Sequence, residues 1–366
     1  MAKVCISLSG EGRGHATRVR AIIESIRHEH DVSVFASNDA FEFLDGLYRG
    51  NRVGVHRISG LRFHYTQKGR LNFLRTGIEA VSSFRRLWHA RQALEEHLQR
   101  EQPDLVVVDF EPILPRAARR LGLPFVSVDH QHFLTTYDLR TLPWRLRLQA
   151  LLMASVVRGY YSGQRETVVS SFFFPPLRRG CHNVTQVGVM LRPEVLARAP
   201  ERRGHLVAYW RRFVPSSVLD GLQATRREVR IYGLGEQPRR GNLVFRGIEE
   251  HRFLEDLATC DALVSTAGNQ LVGEALYLSK PILVLPEARN FEQYINAHFL
   301  AQTGAGAWVE MERATPAHFT GFLDGLDRFD AAIDRRRMNG LPKTLAVLRG
   351  HLSTTAPSRC AETAVA

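Results

Sequence analysis

The sequence predicts an α/β chain built from two doubly wound halves, each a parallel sheet wrapped by helices. Three observations predict it. Short β-branched or apolar runs alternate with longer amphipathic ones along most of the chain, the pattern of repeated βα units. The alternation falls into two series, divided by a stretch from Met190 to Gly204 that is rich in Arg, Pro and Ala and carries no clear strand. The length, 366 residues, suffices for two domains that each bury a core.

In the first series the strand-like runs are Val4–Leu8, Val32–Ala36, Val53–Ile58, Leu105–Asp109, Phe125–Asp129, Thr167–Ser170 and Val184–Val187. Helical stretches fall between them at Thr17–Arg27, Asp39–Leu47, Thr76–Arg100, Ile113–Leu121 and Pro143–Tyr160. The second series has strands at His205–Tyr209, Val229–Tyr232, Leu243–Arg246, Ala262–Ser265, Ile282–Leu285 and Ala307–Val309. Its helices are expected at Pro215–Arg226, His251–Thr259, Asn269–Leu278, Phe291–Gln302 and Pro316–Leu326. Two Rossmann-like halves bind ligands at the carboxyl ends of their parallel strands, so chemistry is sought in the loops that follow strands.

Composition narrows the classes. Hydrophobic residues make up 44% and charged residues 23%, ordinary for a globular protein and wrong for a disordered or fibrous one. Lys plus Arg at 49 against Asp plus Glu at 37 gives a net charge of +12, which favours anionic partners without choosing among phosphates, acidic lipid and nucleic acid. No nucleic-acid module accompanies the charge. Four widely spaced cysteines form no CxxC pair, which points to reduced thiols in a cytoplasmic protein rather than to zinc. The N-terminus enters a strand without a secretion signal, and no apolar run is long enough to span a membrane.

The first strand runs into Ser9-Gly10-Glu11-Gly12-Arg13-Gly14-His15 and then a helix. Gly12 and Gly14 let the backbone pass close to an anion, and a helix N-terminus presents free N–H groups and the positive end of its dipole. The spacing is GxGxG, and the next strand ends at Phe35-Ala36-Ser37-Asn38 rather than at an acid, which tells against an NAD site. His15 is placed to accept a proton from an acceptor hydroxyl, or else to stand as a neighbour of the helix cap or a donor to phosphate. Arg13 and Arg18 are candidates to hold an anionic acceptor, or are surface charge.

Two further strand ends carry titratable groups: Asp109-Phe110-Glu111-Pro112 and Asp129-His130-Gln131-His132. Asp109 or Glu111 could orient the base or act as one, while capping of the helix near Pro112 explains one acid without catalysis. In the second series, Ser265-Thr266-Ala267-Gly268-Asn269 leads from strand to helix through small residues, with Glu274 one turn in. Such a helix N-terminus can stabilise a leaving diphosphate, and Glu274 can accept hydrogen bonds from ribose hydroxyls. Lys280-Pro281 and an apolar strand follow, then a helix whose first turn holds Glu292 and Gln293, suited to gripping sugar hydroxyls.

These segments resemble the GT-B glycosyltransferases, in particular the branch that includes the N-acetylglucosaminyltransferase of lipid II synthesis and the UDP-glycosyltransferases. The resemblance rests on Gly268-Asn269, Glu274-Ala275-Leu276, Lys280-Pro281, Glu292-Gln293, Asn296-Ala297 and Gly304-Ala305-Gly306, with a looser match from Gly10 to His15. It implies two Rossmann-like domains facing each other across a cleft. Residues 1–189 would form the acceptor-binding half, 190–204 a linker and 205–338 the nucleotide-sugar half; 339–352 would be a helix packing back on the first half and 353–366 a tail. It further implies that Ser265, Gly268 and Asn269 face the diphosphate, Glu274 the ribose, Glu292 and Gln293 the sugar, and that Ile248 contacts the base through its backbone. The catalytic residue would be His15 or Asp109, with Glu111 as the further acid.

The implied reaction moves a sugar from a nucleoside diphosphate donor, a UDP-sugar, to an acceptor hydroxyl with inversion, with no cofactor and no metal. Two departures bear on the donor: Ala267 stands in the phosphate loop where glycine is usual, and Glu292 where Gln is usual. GEGRGHATR with DFEP and DHQH resembles a bacterial and archaeal branch associated with cell-envelope or teichoic acid-type synthesis, which leaves a glycolipid or small-molecule acceptor. The rivals are a nucleotide-sugar 2-epimerase of the same fold and a non-catalytic protein that binds nucleotide sugars or nucleic acid.

One stretch stands apart from this site. Trp144, Leu148, Leu151 and Leu152 share a helical face with Arg145 and Arg147 off it, the pattern either of a peripheral contact with the inner face of a membrane or of a core-facing helix. Trp88, in the long helix before it, has the same ambiguity.

Overall fold

The computed structural model describes residues 1–10, 13–59, 84–211 and 213–355, with the side chains at 13, 84–90, 354 and 355 outside that description. The first half runs β1 (Lys3–Leu8), α1 (Arg13–Ile26), β2 (Asp31–Ala36), α2 (Asn38–Tyr48), β3 (Gly54–Arg57), α3 (Phe84–Glu101), β4 (Leu105–Asp109), α4 (Leu114–Arg120), β5 (Phe125–Asp129), α5 (Phe133–Thr136), α6 (Trp144–Tyr160), β6 (Glu166–Ser170) and β7 (Val184–Val187). After a single helical turn, α7 (Pro193–Leu196), come β8 (Leu206–Tyr209), α8 (Ser216–Ala224), β9 (Val229–Tyr232), β10 (Leu243–Arg246), α9 (Glu250–Thr259), β11 (Ala262–Ser265), α10 (Asn269–Tyr277), β12 (Ile282–Val284), α11 (Phe291–Thr303) and β13 (Gly306–Trp308). The chain ends in α12 (Pro316–Asp324), α13 (Leu326–Ala331) and α14 (Leu341–Thr355).

Among the described residues there are two sheets, one of seven strands in the order β3-β2-β1-β4-β5-β6-β7 and one of six in the order β10-β9-β8-β11-β12-β13. Every named pair is parallel. Central strands such as β4 and β5 are buried along their whole length because helices cover both faces, and so they read as unbroken apolar runs. In each sheet the chain reverses its winding direction once, between β1 and β4 and between β8 and β11. Those two switch points are where a doubly wound sheet opens a crevice at its strand ends.

The halves are packed together. One apolar cluster joins Phe133, Tyr137 and Phe173 of the first half to Ile295, Phe299 and Leu300 of the second. Phe173 and Phe299 stack with ring centres 4.2 Å apart. The stretch from Met190 to Gly204 is not an irregular tether: it contains α7, buries Met190, Leu191 and Val195, and the buried ammonium of Lys280 donates to the Glu201 carbonyl. Leu341 and Leu348 of α14 lie in the core of the first half, and His351 Nε2 is 3.1 Å from Glu166 Oε2.

Local differences from the expected elements have simple causes. α1 starts at Arg13 rather than Thr17, which puts Gly14 and His15 inside its first turn. The short helices α5, α7 and α13 were not expected, since four to six residues are too few to show a period. The expected helix residues 76–83, the Trp88 side chain and the tail from 356 lie outside the described residues. α6 turns Ala150, Ala154 and Val157 inward and its Trp144 face to solvent, so the core-facing alternative for that face does not hold.

Candidate active site

At the first switch point β1 and β4 pair with Leu8 opposite Asp109, and the Ser9 N–H donates to the Asp109 carbonyl at 2.9 Å. Gly10 is required there by space: a Cβ would lie 2.3 Å from Ser37 Oγ and 2.5 Å from the Ser37 carbonyl oxygen. The turn delivers His15, in the first turn of α1, to the end of β4. His15 Nδ1 lies 2.9 Å from Asp109 Oδ1, and Arg18, one turn further along α1, donates to the same oxygen at 2.6 Å.

Burial divides the roles within this trio. Asp109 is 1% exposed and Arg18 3% exposed, so they form a closed pair of opposite charges, whereas the His15 side chain keeps 13% of its surface. A carboxylate can only accept, so Nδ1 donates to Asp109, and in the neutral tautomer this fixes, Nε2 is the nitrogen that carries the lone pair. Asp109 thus fixes the orientation of the His15 ring, and His15 is the partly exposed member of the trio. Arg18 is no surface charge and holds no acceptor here, because its guanidinium is buried on Asp109.

Glu111 is corrected by its partners. Its two carboxylate oxygens accept the N–H groups of Ile113 at 2.7 Å and Leu114 at 2.8 Å, closing the start of α4. Burial pushes the carboxyl above its usual value, against the pull of those two N–H bonds. Both oxygens are thus engaged as a cap on the start of that helix. Glu111→Ala should lower stability by about 0.5–2 kcal/mol in denaturant unfolding while leaving the rate of transfer intact; a rate loss matching that of a His15 variant would return Glu111 to the catalytic set.

The Asp129 to His132 segment is likewise internal framework. Asp129 accepts from the His132 N–H at 2.9 Å, from Ser127 Oγ at 2.6 Å and from the Tyr161 hydroxyl at 2.9 Å, and lies 2.7 Å from His132 Nδ1. Burial alone would raise its carboxyl; the His132 imidazole and the donors around it bring it well below the usual carboxylate range. His130, fully buried, joins the halves: Nδ1 is 3.1 Å from the Ser170 carbonyl oxygen and Nε2 3.1 Å from Asn296 Oδ1. Asn296 in turn donates to the Ala267 carbonyl at 2.9 Å.

At the second switch point Gly268 precedes α10 in an extended conformation, and a Cβ there would meet nothing within 4 Å, so its backbone faces open space. No side chain caps α10. Its first N–H groups are thus available to an anion. A Cβ on Gly14 would come within 3.9 Å of Gln270 Cβ, so the N-termini of α1 and α10 meet across the halves. Gly12 lies outside the described residues.

Other predicted donor contacts are differently engaged. Ser265 is fully buried, its Oγ donating to the Thr266 carbonyl at 2.9 Å. Asn269 reaches back into the first half, donating to the Ser170 carbonyl at 3.0 Å and accepting from the Phe172 N–H at 3.3 Å. Glu274, 2% exposed, accepts from Arg192 at 3.2 and 3.0 Å and from Gln270 at 3.0 Å, so in this structure it presents no surface to a ribose. Arg192 extends the network to Glu250, which also accepts from Arg20 at 2.8 Å.

In the last predicted pair, Gln293 is held by its own loop, accepting from the Glu287 N–H at 2.8 Å and donating to Glu287 Oε2 at 3.2 Å. Glu292 is half-buried, and its side chain makes no hydrogen bond among the described residues. Burial holds the His130 imidazole below its usual value, and the Glu292 carboxylate offsets only part of that. Ile248 is exposed in the loop between β10 and α9. Sequence reasoning missed Arg192 and Gln270 altogether. Gln270 precedes Glu274 by one helical turn, a spacing that signals contact, but nothing in the linker sequence marks Arg192.

Two doubly wound parallel sheets whose switch points meet where the N-termini of α1 and α10 approach each other make up the GT-B fold. Residues 2–327 match the profile of the family described as Glycosyl transferase family 1, and the chain belongs to that family. No curated protein matches the chain. Among solved structures it is similar to LpCGTa in complex with UDP, at 14% identity and a TM-score of 0.69 over 96% of this chain and 99% of that one. It is similar to UGT89C1 of Arabidopsis thaliana complexed with UDP-L-rhamnose, at 13% identity and a TM-score of 0.68 over 96% and 99% of the two chains. MurG of Acinetobacter baumannii is similar at 14% identity and a TM-score of 0.63, over 96% of this chain and all of that one. At these identities the likeness concerns the fold.

Proposed function

We propose that this glycosyltransferase moves a sugar from a nucleoside diphosphate donor, a UDP-sugar, to an acceptor hydroxyl with inversion and without a metal. The observation that carries the reading is the His15–Asp109 pair set beside the uncapped N-terminus of α10 where α1 and α10 meet. His15 Nε2 takes the proton of the acceptor hydroxyl as its oxygen forms the new bond to the anomeric carbon. On the opposite face the bond from that carbon to the diphosphate breaks, and its electron pair goes to the diphosphate oxygen. The N–H groups at the start of α10 stabilise the departing charge. Asp109 holds the imidazolium that results. One displacement inverts the anomeric centre.

Neighbours solved with UDP and with UDP-L-rhamnose support a uridine donor. Gly268 carries the diphosphate contact through its backbone, Ile248 lies toward the base, and Glu292 is the donor-sugar contact that remains available. The free thiols of Cys5 and Cys260, buried and pushed up to about 12, are compatible with a cytoplasmic enzyme.

Calorimetry with UDP in EDTA tests the donor: binding should appear between about 1 μM and 1 mM, the range typical of Michaelis constants. Binding that depends wholly on added divalent cation would overturn metal independence. A donor incubated alone that yields an epimer by NMR would replace the transfer reading with the epimerase.

A further inference from the structure

We propose that α6 docks the protein onto an anionic membrane surface, lying in the plane of the interface with its outer face in the lipid. The face is continuous: Trp144, Leu148, Leu151, Leu152 and Val156 recur at helical spacing and are 63%, 53%, 51%, 65% and 56% exposed. The opposite face, Ala150, Ala154 and Val157, is buried in the core, so the helix is held in place and cannot turn its apolar stripe inward. Five large apolar side chains in one exposed row are far from the scattered singles of an ordinary surface.

What borders the stripe identifies the partner. From Trp144 to Arg165 the chain contains no acidic residue, and Arg145, Arg147 and Arg158 stand exposed beside the stripe. The neighbouring α4 is also free of acid, and its exposed Arg116 and Arg119 reach the end of α6, donating to the Gly159 carbonyl at 2.6 Å and to Ser162 Oγ at 3.2 Å. The Arg145 guanidinium sits 5.3 Å from the Trp144 ring centre, a pairing of aromatic and cation suited to the headgroup level. An apolar row rimmed by cations matches acyl chains beneath anionic headgroups. A second copy of this chain would set one arginine rim against another, which like-charge repulsion opposes. Among the described residues no helix is long and apolar enough to cross a membrane, so the contact is with a surface. α6 ends beside the reaction centre, where Tyr160 stacks on Phe110, the residue after Asp109, with ring centres 4.6 Å apart.

The test is sedimentation of the full chain with vesicles of phosphatidylglycerol and phosphatidylcholine, or of phosphatidylcholine alone. The protein should partition onto the anionic vesicles and much less onto the neutral ones, with binding weakened at high salt. L148E/L152E should cut the partition coefficient roughly tenfold or more, and R145E/R147E should weaken it on anionic vesicles only. Melting temperature and UDP binding should be unchanged in both, since all four side chains are exposed. Failure of the wild type to bind anionic vesicles, or equal binding by L148E/L152E, overturns the proposal. So does a dimer in light scattering that L148E/L152E dissolves, which would assign the stripe to a second copy. The readout does not depend on turnover, so this proposal and the transferase mechanism can fail separately.

Discussion

His15→Ala should lower kcat by about 10²–10⁴ while leaving UDP affinity within a small factor of wild type. The imidazole is the one partly exposed member of the trio at the first switch point, and its Nδ1 is fixed on Asp109 at 2.9 Å. Removing it takes away the proton acceptor and leaves the Asp109–Arg18 pair intact at 2.6 Å, so the fold around β4 persists. Asp109→Asn should also slow turnover, because an amide that presents its N–H to Nδ1 would force the hydrogen onto Nε2, the nitrogen that must accept. That variant also leaves Arg18 buried without its counter-charge and should lose stability, which His15→Ala should not. Steady-state kinetics and UDP calorimetry on the two variants separate the roles. Full activity of His15→Ala would exclude it as the base.

Arg192→Ala should destabilise the protein by about 3–5 kcal/mol, the usual consequence of leaving one partner of a buried pair uncompensated. Glu274 is 2% exposed and receives two of its hydrogen bonds from Arg192, so the truncation strands a carboxylate with Gln270 alone. The Arg192 side chain is itself 11% exposed, and screening by solvent is correspondingly small. Arg192→Met with Glu274→Leu should recover most of the loss, since a buried pair exchanged for apolar side chains of similar volume is often neutral. Denaturant unfolding gives both values. A loss below about 1 kcal/mol in the single variant would mean that the pair behaves as a solvated surface contact.

The pattern of the fold was legible because parallel strands covered on both faces are apolar without interruption, and β4 and β5 are such strands. The donor signature was legible as a string of residues and only partly as a set of roles. Gly304 closes α11 with a φ of +75°, and at Gly306 a Cβ would stand 2.2 Å from the Ile282 carbonyl oxygen. Asn296 is tied to His130 and Ala267. Much of the signature is thus framework that sets the angle of α10 and α11. The small residues before α10 did mark an open, uncapped helix N-terminus at Gly268.

By itself the sequence determined the alternation of strands and helices, the division into two series and the two glycine-bearing turns, because periodicity and turn chemistry are local properties of the chain. Which polar residues at those turns remain free was decided by the tertiary structure. The partners that engage Glu111, Asn269, Gln293 and Glu274 come from the packed structure, and several lie 80 or more residues away: Phe172 from Asn269 at a separation of 97, Arg192 from Glu274 at 82. A buried polar group must find a hydrogen-bond partner, and packing, not sequence spacing, decides whether that partner is the protein or the ligand. The same holds for α6, whose apolar stripe reads equally as core or as interface until its opposite face is seen to be buried.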